Sequence, residues 1–148
     1  MRGLNEGPWV RWYMKGNEGR AFPWCAGFVT TILRQALGHS DWDTFSCDEL
    51  ALKALGTAAF LRAPGPSERS QVAPGDVFLL RHPAPSGIYR RPDWYHTGIV
   101  TRVGPGGEAF YTVEGNTTAG GSPEGTAALA RVRAFKDNMD FIRMGVAR

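Results

Sequence analysis

The sequence predicts an α+β fold in which N-terminal helices pack on a C-terminal antiparallel sheet. Three observations predict it. Apolar residues recur at helical spacing through roughly the first 60 residues, then give way to short extended runs after Pro74-Gly75-Asp76. Gly 19 and Pro 10 among 148 residues supply many turns, as a β-rich half requires. Helices followed by strands, without alternation, is the α+β order.

The elements follow in chain order. Residues 5–16 carry Val10, Tyr13 and Met14 on one side of a short helix, and Asn17-Glu18-Gly19-Arg20 makes the turn after it. The central stretch is Phe22-Pro23-Trp24-Cys25-Ala26-Gly27-Phe28-Val29, running on to Leu37. Pro23 suits a first helical position, since its missing N–H is one a helix start leaves unused. Cys25, Phe28, Val29, Ile32, Leu33 and Ala36 share a face, and Gly38 is the stop. Ser46 with Glu49 three residues on reads as a capping box opening a second apolar helix through Leu50, Leu52, Ala54, Leu55 and Ala58. Residues 63–75 form a Pro/Gly/Ser loop. Strands are expected at Val77 to Arg81, Tyr95 to Val103, Ala109 to Glu114, Leu129 to Phe135 and Met139 to Met144. Gly104-Pro105-Gly106-Gly107 turns a hairpin, and Asp137-Asn138 turns between the last two strands. His82 to Asp93 and Thr117 to Thr126 are long loops, the second Gly-rich.

The whole of residues 1–148 is one domain, long enough to bury a core. Net charge is +3, with the basic residues scattered; Arg90-Arg91 is the densest pair, which argues against a nucleic-acid-binding tail. No stretch is long and apolar enough to span a membrane, and the first twenty residues hold no signal-peptide-like apolar run. Export without such a signal, phage-type lysis or a trimmed chain would each account for that. Two cysteines make no disulfide framework, and Cys47 reads as a structural thiol.

Chemistry concentrates at two places. A cysteine in the first turn of a buried helix faces unpaired N–H groups and the positive end of the dipole, which favour a thiolate, the nucleophilic form. On the expected hairpin, His96 begins one strand while Glu114 and Asn116 end the next. An even register sets His96 opposite Asn116 and diagonal to Glu114, all on one face, with Gly98 leaving room beside the imidazole. Either partner can hold one ring nitrogen so that the other faces a nucleophile. Trp24, Trp94 and Tyr95 are candidates to line a substrate groove, with Thr117 on its rim; packing is the competing role, favoured for Trp24. His39 and His82 read as surface residues. Asn116-Thr117-Thr118 fits a glycosylation sequon by chance.

The order cysteine, histidine, then Asn or Glu is that of papain-type enzymes. Asn5-Glu6-Gly7-Pro8, Val10, Tyr13 and Pro23-Trp24-Cys25-Ala26-Gly27-Phe28-Val29 resemble the start of CHAP domains, the cysteine, histidine-dependent amidohydrolases/peptidases of bacteria and phages. Pro74-Gly75-Asp76-Val77, His96-Thr97-Gly98-Ile99-Val100 and Val113-Glu114-Gly115-Asn116 resemble three further motifs of that family, in order, so that the resemblance spans about residues 5–116. It implies a papain-like fold and cleavage of peptidoglycan amide bonds. Cys25 would be the nucleophile, His96 the base, and Glu114 and Asn116 the orienting groups. It also implies action on the peptide stem at the cell wall, periplasmic or extracellular, by a monomer without a cofactor, met by an immunity or inhibitor protein if the chain is an antibacterial effector. Some relatives bind calcium near the cysteine; no acidic loop cluster stands there, so no metal is expected. A repeat-type wall-binding module is lacking. The competing readings are a papain-fold enzyme acting on a non-wall amide and a catalytically inactive wall-binding module, with nucleic-acid binding a distant fourth.

Overall fold

A computed structural model describes residues 5–82, 93–117 and 127–147. The basic pair Arg90-Arg91, most of the loop expected after His82 and the Gly-rich stretch 118–126 lie outside the described residues. Among those described are three α-helices, α1 (Pro8–Tyr13), α2 (Cys25–Leu37) and α3 (Cys47–Ala54). Six strands follow: β1 (Phe60–Arg62), β2 (Val77–Arg81), β3 (Trp94–Val103), β4 (Ala109–Thr117), β5 (Ala127–Ala134) and β6 (Met139–Ile142). They form one antiparallel sheet of order β1-β6-β2-β3-β4-β5. The fold is mixed α/β, with helices first and the sheet after.

α2 starts at Cys25, with Trp24 as N-cap, so Pro23 stands just before the helix rather than inside it. Its first two turns are buried nearly all round, and Ala36, expected on the core face, is exposed. Gly38 ends it in the left-handed conformation at φ 75°, which a residue with a Cβ adopts reluctantly. α3 opens as a cap: the Ser46 side chain accepts from the Glu49 N–H at 3.3 Å. The second half of the box is replaced, because Glu49 accepts from the Thr44 hydroxyl, which in turn accepts from the Ser46 N–H at 3.1 Å. α3 stops at Ala54, short of the expected Ala58, leaving Leu52 54% and Leu55 42% exposed. The chain then forms β1, a strand that the sequence pattern did not announce.

The sheet separates two cores. On one face α1, α2 and α3 bury Val10, Phe28, Val29, Leu50 and Ala51 against Val77, Leu79, Ile99 and Ile142. On the other, Phe78, Val100, Phe110 and Phe141 pack with Leu61 from β1 and Phe135 beyond β5. β5 and β6 are not the hairpin neighbours expected from Asp137-Asn138: β6 inserts between β1 and β2. Four strand spacings separate β5 from β6, about 19 Å if flat. The five links from Ala134 to Met139 reach only about 17 Å. The sheet therefore curls, and the Phe135 and Phe141 rings meet at 5.5 Å across the curl.

Candidate active site

Cys25 is the first residue of α2, and its side chain is 3% exposed. The helix reaches this position because Gly115 on β4 lies directly beneath it. A Cβ on Gly115 would stand 2.6 Å from the Phe28 Cβ and 2.8 Å from Trp24 Cζ3. The close approach of α2 to β4 thus depends on a missing methyl group. Tyr13 of α1 stacks on Trp24 at 5.5 Å and meets the Phe28 ring edge-on, fixing the helix start from the other side.

His96 comes from β3. Leu80↔His96 and Ile99↔Val113 fix its neighbours on β2 and β4. Continued three residues, the second register sets His96 across from Asn116 and diagonal to Glu114, the even arrangement. His96 Nε2 lies 2.7 Å from Glu114 Oε2, both side chains fully buried. Gly98 provides the room, since a Cβ there would stand 2.7 Å from the Glu114 Cγ and 2.6 Å from Phe78 Cε1. Asn116 is buried at the irregular end of β4 with a left-handed φ of 56°. Of the two expected orienting groups, Glu114 is the one that holds Nε2.

Glu114 is held in turn. Arg133 on β5 donates to both of its oxygens, Nε to Oε1 and Nη2 to Oε2, at 2.6 Å each, and Thr112 Oγ1 donates to Oε1 at 2.6 Å. Burial pushes the Glu114 carboxyl up, but Arg133, His96 and Thr112 more than offset this and hold it at about 2. The sequence reading missed Arg133. Its only signal was an arginine at a half-buried position in an alternating strand, and that does not identify a partner.

With Nε2 engaged, Nδ1 is the ring nitrogen left over; it is buried and has no hydrogen-bond partner among the described residues. Cys25 and His96 are near enough for each to shift the other's titration. Burial lowers the basicity of His96, and Cys25 with Glu114 more than reverses this, so the imidazole titrates above its usual range. The Cys25 thiol is held well below its usual range by a hydrogen bond from the Cys47 thiol; burial opposes this, and His96 and the Ala26 N–H add to it. Both shifts favour a thiolate on Cys25 and an imidazolium on His96.

From sequence Cys47 reads as a structural thiol just inside the second helix. It is the first residue of α3, and its sulfur lies 3.6 Å from that of Cys25. Both cysteines are free. Cys47 is pushed well up by its bond to Cys25 and by burial, so Cys25 ionises first and Cys47 remains its S–H donor.

The expected substrate-binding residues fare unevenly. Trp94 is 4% exposed, with its indole N–H bonded to Asp140 at 2.9 Å and its backbone N–H to Asp48 at 2.7 Å; it packs in the helical core. Thr117 is fully buried within β4 rather than on a rim. Tyr95 is half-buried and stacks on His82 at 4.3 Å. Trp24 is 3% exposed but forms part of the wall of a groove of about 650 Å³, with Asn5, Trp9, Val10 and Tyr13. His39 and His82 are exposed. Among the described residues no three His, Cys, Asp or Glu side chains group to hold a metal ion, and no helix is long and apolar enough to cross a membrane. Comparison of the chain with protein-family models, with curated proteins and with solved structures returned no match.

Proposed function

We propose that this chain is a papain-like cysteine hydrolase that cleaves amide bonds in bacterial peptidoglycan. One observation carries the reading. A thiol at a helix start and an imidazole shift each other's titration, and the far nitrogen of that imidazole is held at 2.7 Å by a carboxylate that is itself clamped by an arginine. The nucleophile, the base and the group orienting the base are together, which is the relation covalent amide hydrolysis requires. The wall as substrate rests on the resemblance of four sequence segments to CHAP domains.

In the proposed cycle the Cys25 thiolate adds to the amide carbonyl. Backbone N–H groups at the start of α2 stabilise the developing oxyanion. The His96 imidazolium protonates the leaving amine, and the neutral imidazole then activates water to release the acyl group. Glu114 keeps Nε2 protonated and the ring in plane throughout, so that Nδ1 is the nitrogen that exchanges protons.

The test is release of soluble peptide from purified sacculi, with the fragments identified by mass spectrometry. Native protein should release peptide, and Cys25→Ala should reduce the rate by roughly a thousandfold or more. Equal, negligible release by both proteins defeats the wall reading. If a panel of other amides is then turned over in a Cys25-dependent way, the hydrolase chemistry survives with a different substrate.

A further inference from the structure

We infer that Cys25 and Cys47 together form a peroxide-reactive modification site, closed by a disulfide between the two helix starts. The geometry comes first. The two sulfurs are in contact at 3.6 Å, with no group between them. A disulfide needs roughly 2.05 Å, so the sulfurs have about 1.5 Å still to close. Each cysteine is the first residue of its helix, so neither has preceding helical turns to displace. α3 is tied to the sheet by Asp48, which accepts from the Trp94 N–H at 2.7 Å, and α2 is seated on Gly115. The pair is thus presented by two anchored elements rather than by wandering loops.

The chemistry follows from the different protonation of the two thiols. The Cys25 thiolate attacks one oxygen of hydrogen peroxide and the O–O bond breaks. Hydroxide leaves and takes the proton of the His96 imidazolium to become water. Cys25 is now a sulfenic acid, and the peroxide oxygen has been reduced. The Cys47 sulfur then attacks the Cys25 sulfur, the S–O bond breaks, and the departing hydroxide takes the Cys47 proton to become a second water. The sum is two thiols and one peroxide giving one disulfide and two waters. Because Cys47 is already in contact, the sulfenic acid is captured before a second peroxide carries it to the irreversible sulfinic stage. Bond formation does not depend on the hydrolase reading. Its consequence, reversible loss of the nucleophile, rests on the hydrolase reading.

The test is mild hydrogen peroxide treatment of the full chain, then alkylation, intact mass measurement and peptide mapping. The expected result is loss of two hydrogens, protection of both cysteines from alkylation and a Cys25–Cys47 cross-linked peptide, all reversed by dithiothreitol. In Cys47→Ser, Cys25 should instead gain two or three oxygens that dithiothreitol does not remove. Sacculus digestion run in parallel should fall roughly tenfold or more on oxidation and return on reduction. Irreversible oxygen uptake at Cys25 in the native protein, with no cross-linked peptide, overturns the inference. That native readout decides even if Cys47→Ser does not fold. If the cross-link forms but the untreated protein digests no wall, the function fails and the modification site stands.

Discussion

At His96 the two ring nitrogens have different neighbours, and that difference governs the residue's chemistry. Nε2 is committed to Glu114, and Nδ1 is buried without a hydrogen-bond partner among the described residues, so Nδ1 is the nitrogen that the proposed reaction would use. The reactive state is the ion pair, present above the lowered titration of Cys25 and below the raised titration of His96. The rate of Cys25 alkylation by iodoacetamide should therefore rise early with pH, well before an ordinary thiol ionises. Glu114→Gln removes one of the influences that raise the His96 titration. Its pH–rate profile for hydrolysis should lose the alkaline limb at lower pH than the native profile, with the acid limb less affected. The same variant leaves the Arg133 guanidinium facing an amide and should cost roughly 3 kcal/mol in chemical denaturation. In the native protein the Glu114 contribution is complete above its unfolded value near 4.5 and is lost as pH falls toward 2, so acid unfolding should steepen across that window. Cys25, His96 and Glu114 were legible because helix-start position and strand parity are local properties of sequence. Arg133 and the Cys47 contact were not, since pairing between distant segments leaves no local mark. Trp94 reads from sequence as a groove candidate because it flanks a long loop, and its burial was not legible because the carboxylate that satisfies its indole N–H lies 46 residues further along the chain.

The elements that matter most to the site meet at glycines. Gly115 admits the first turns of α2, and Gly98 admits Glu114. Gly115→Ala forces its methyl into Phe28 and Trp24. It should lower stability by roughly 1–3 kcal/mol and, under the proposed hydrolase function, reduce turnover more than it weakens substrate binding, because the helix bearing the proposed nucleophile is displaced. Thermal melts and separate kcat and KM values on a defined muropeptide check this. Gly27 plays the same part between α1 and α2, where a Cβ would stand 2.6 Å from Met14 Sδ. The sequence announced α2, the α3 cap and the β3–β4 hairpin, because periodicity, capping residues and Gly-rich turns all operate over a few residues. It did not announce β1, whose three residues are too few for any period to register.

For the molecule as a whole, Asp140 joins four strands at one point. From β6 its carboxylate accepts from the Ala63 N–H just past β1, from Arg81 Nε on β2 and from the Trp94 indole on β3. Asp140→Ala would leave a largely buried guanidinium and two N–H groups without that acceptor, and should cost roughly 3–5 kcal/mol. Urea unfolding followed by circular dichroism checks the figure, which should hold at neutral pH with both cysteines reduced. The strand order that Asp140 serves could not be read from sequence. Proximity along the chain suggests a β5–β6 hairpin, while the curled sheet places β6 beside β2, where Phe141 completes the second core.

The sulfur arrives from the helical layer, whereas the imidazole stands on a strand whose neighbours Phe78 and Val100 feed the core beyond the sheet. The reactive couple is therefore a seam between two hydrophobic compartments, belonging wholly to neither. Peeling the helices away while the strands stay hydrogen-bonded would part the couple without melting the platform beneath it. In a denaturant titration the heightened alkylation of Cys25 should fade before the β signal does, making the nucleophile a gauge of how firmly the two compartments adhere.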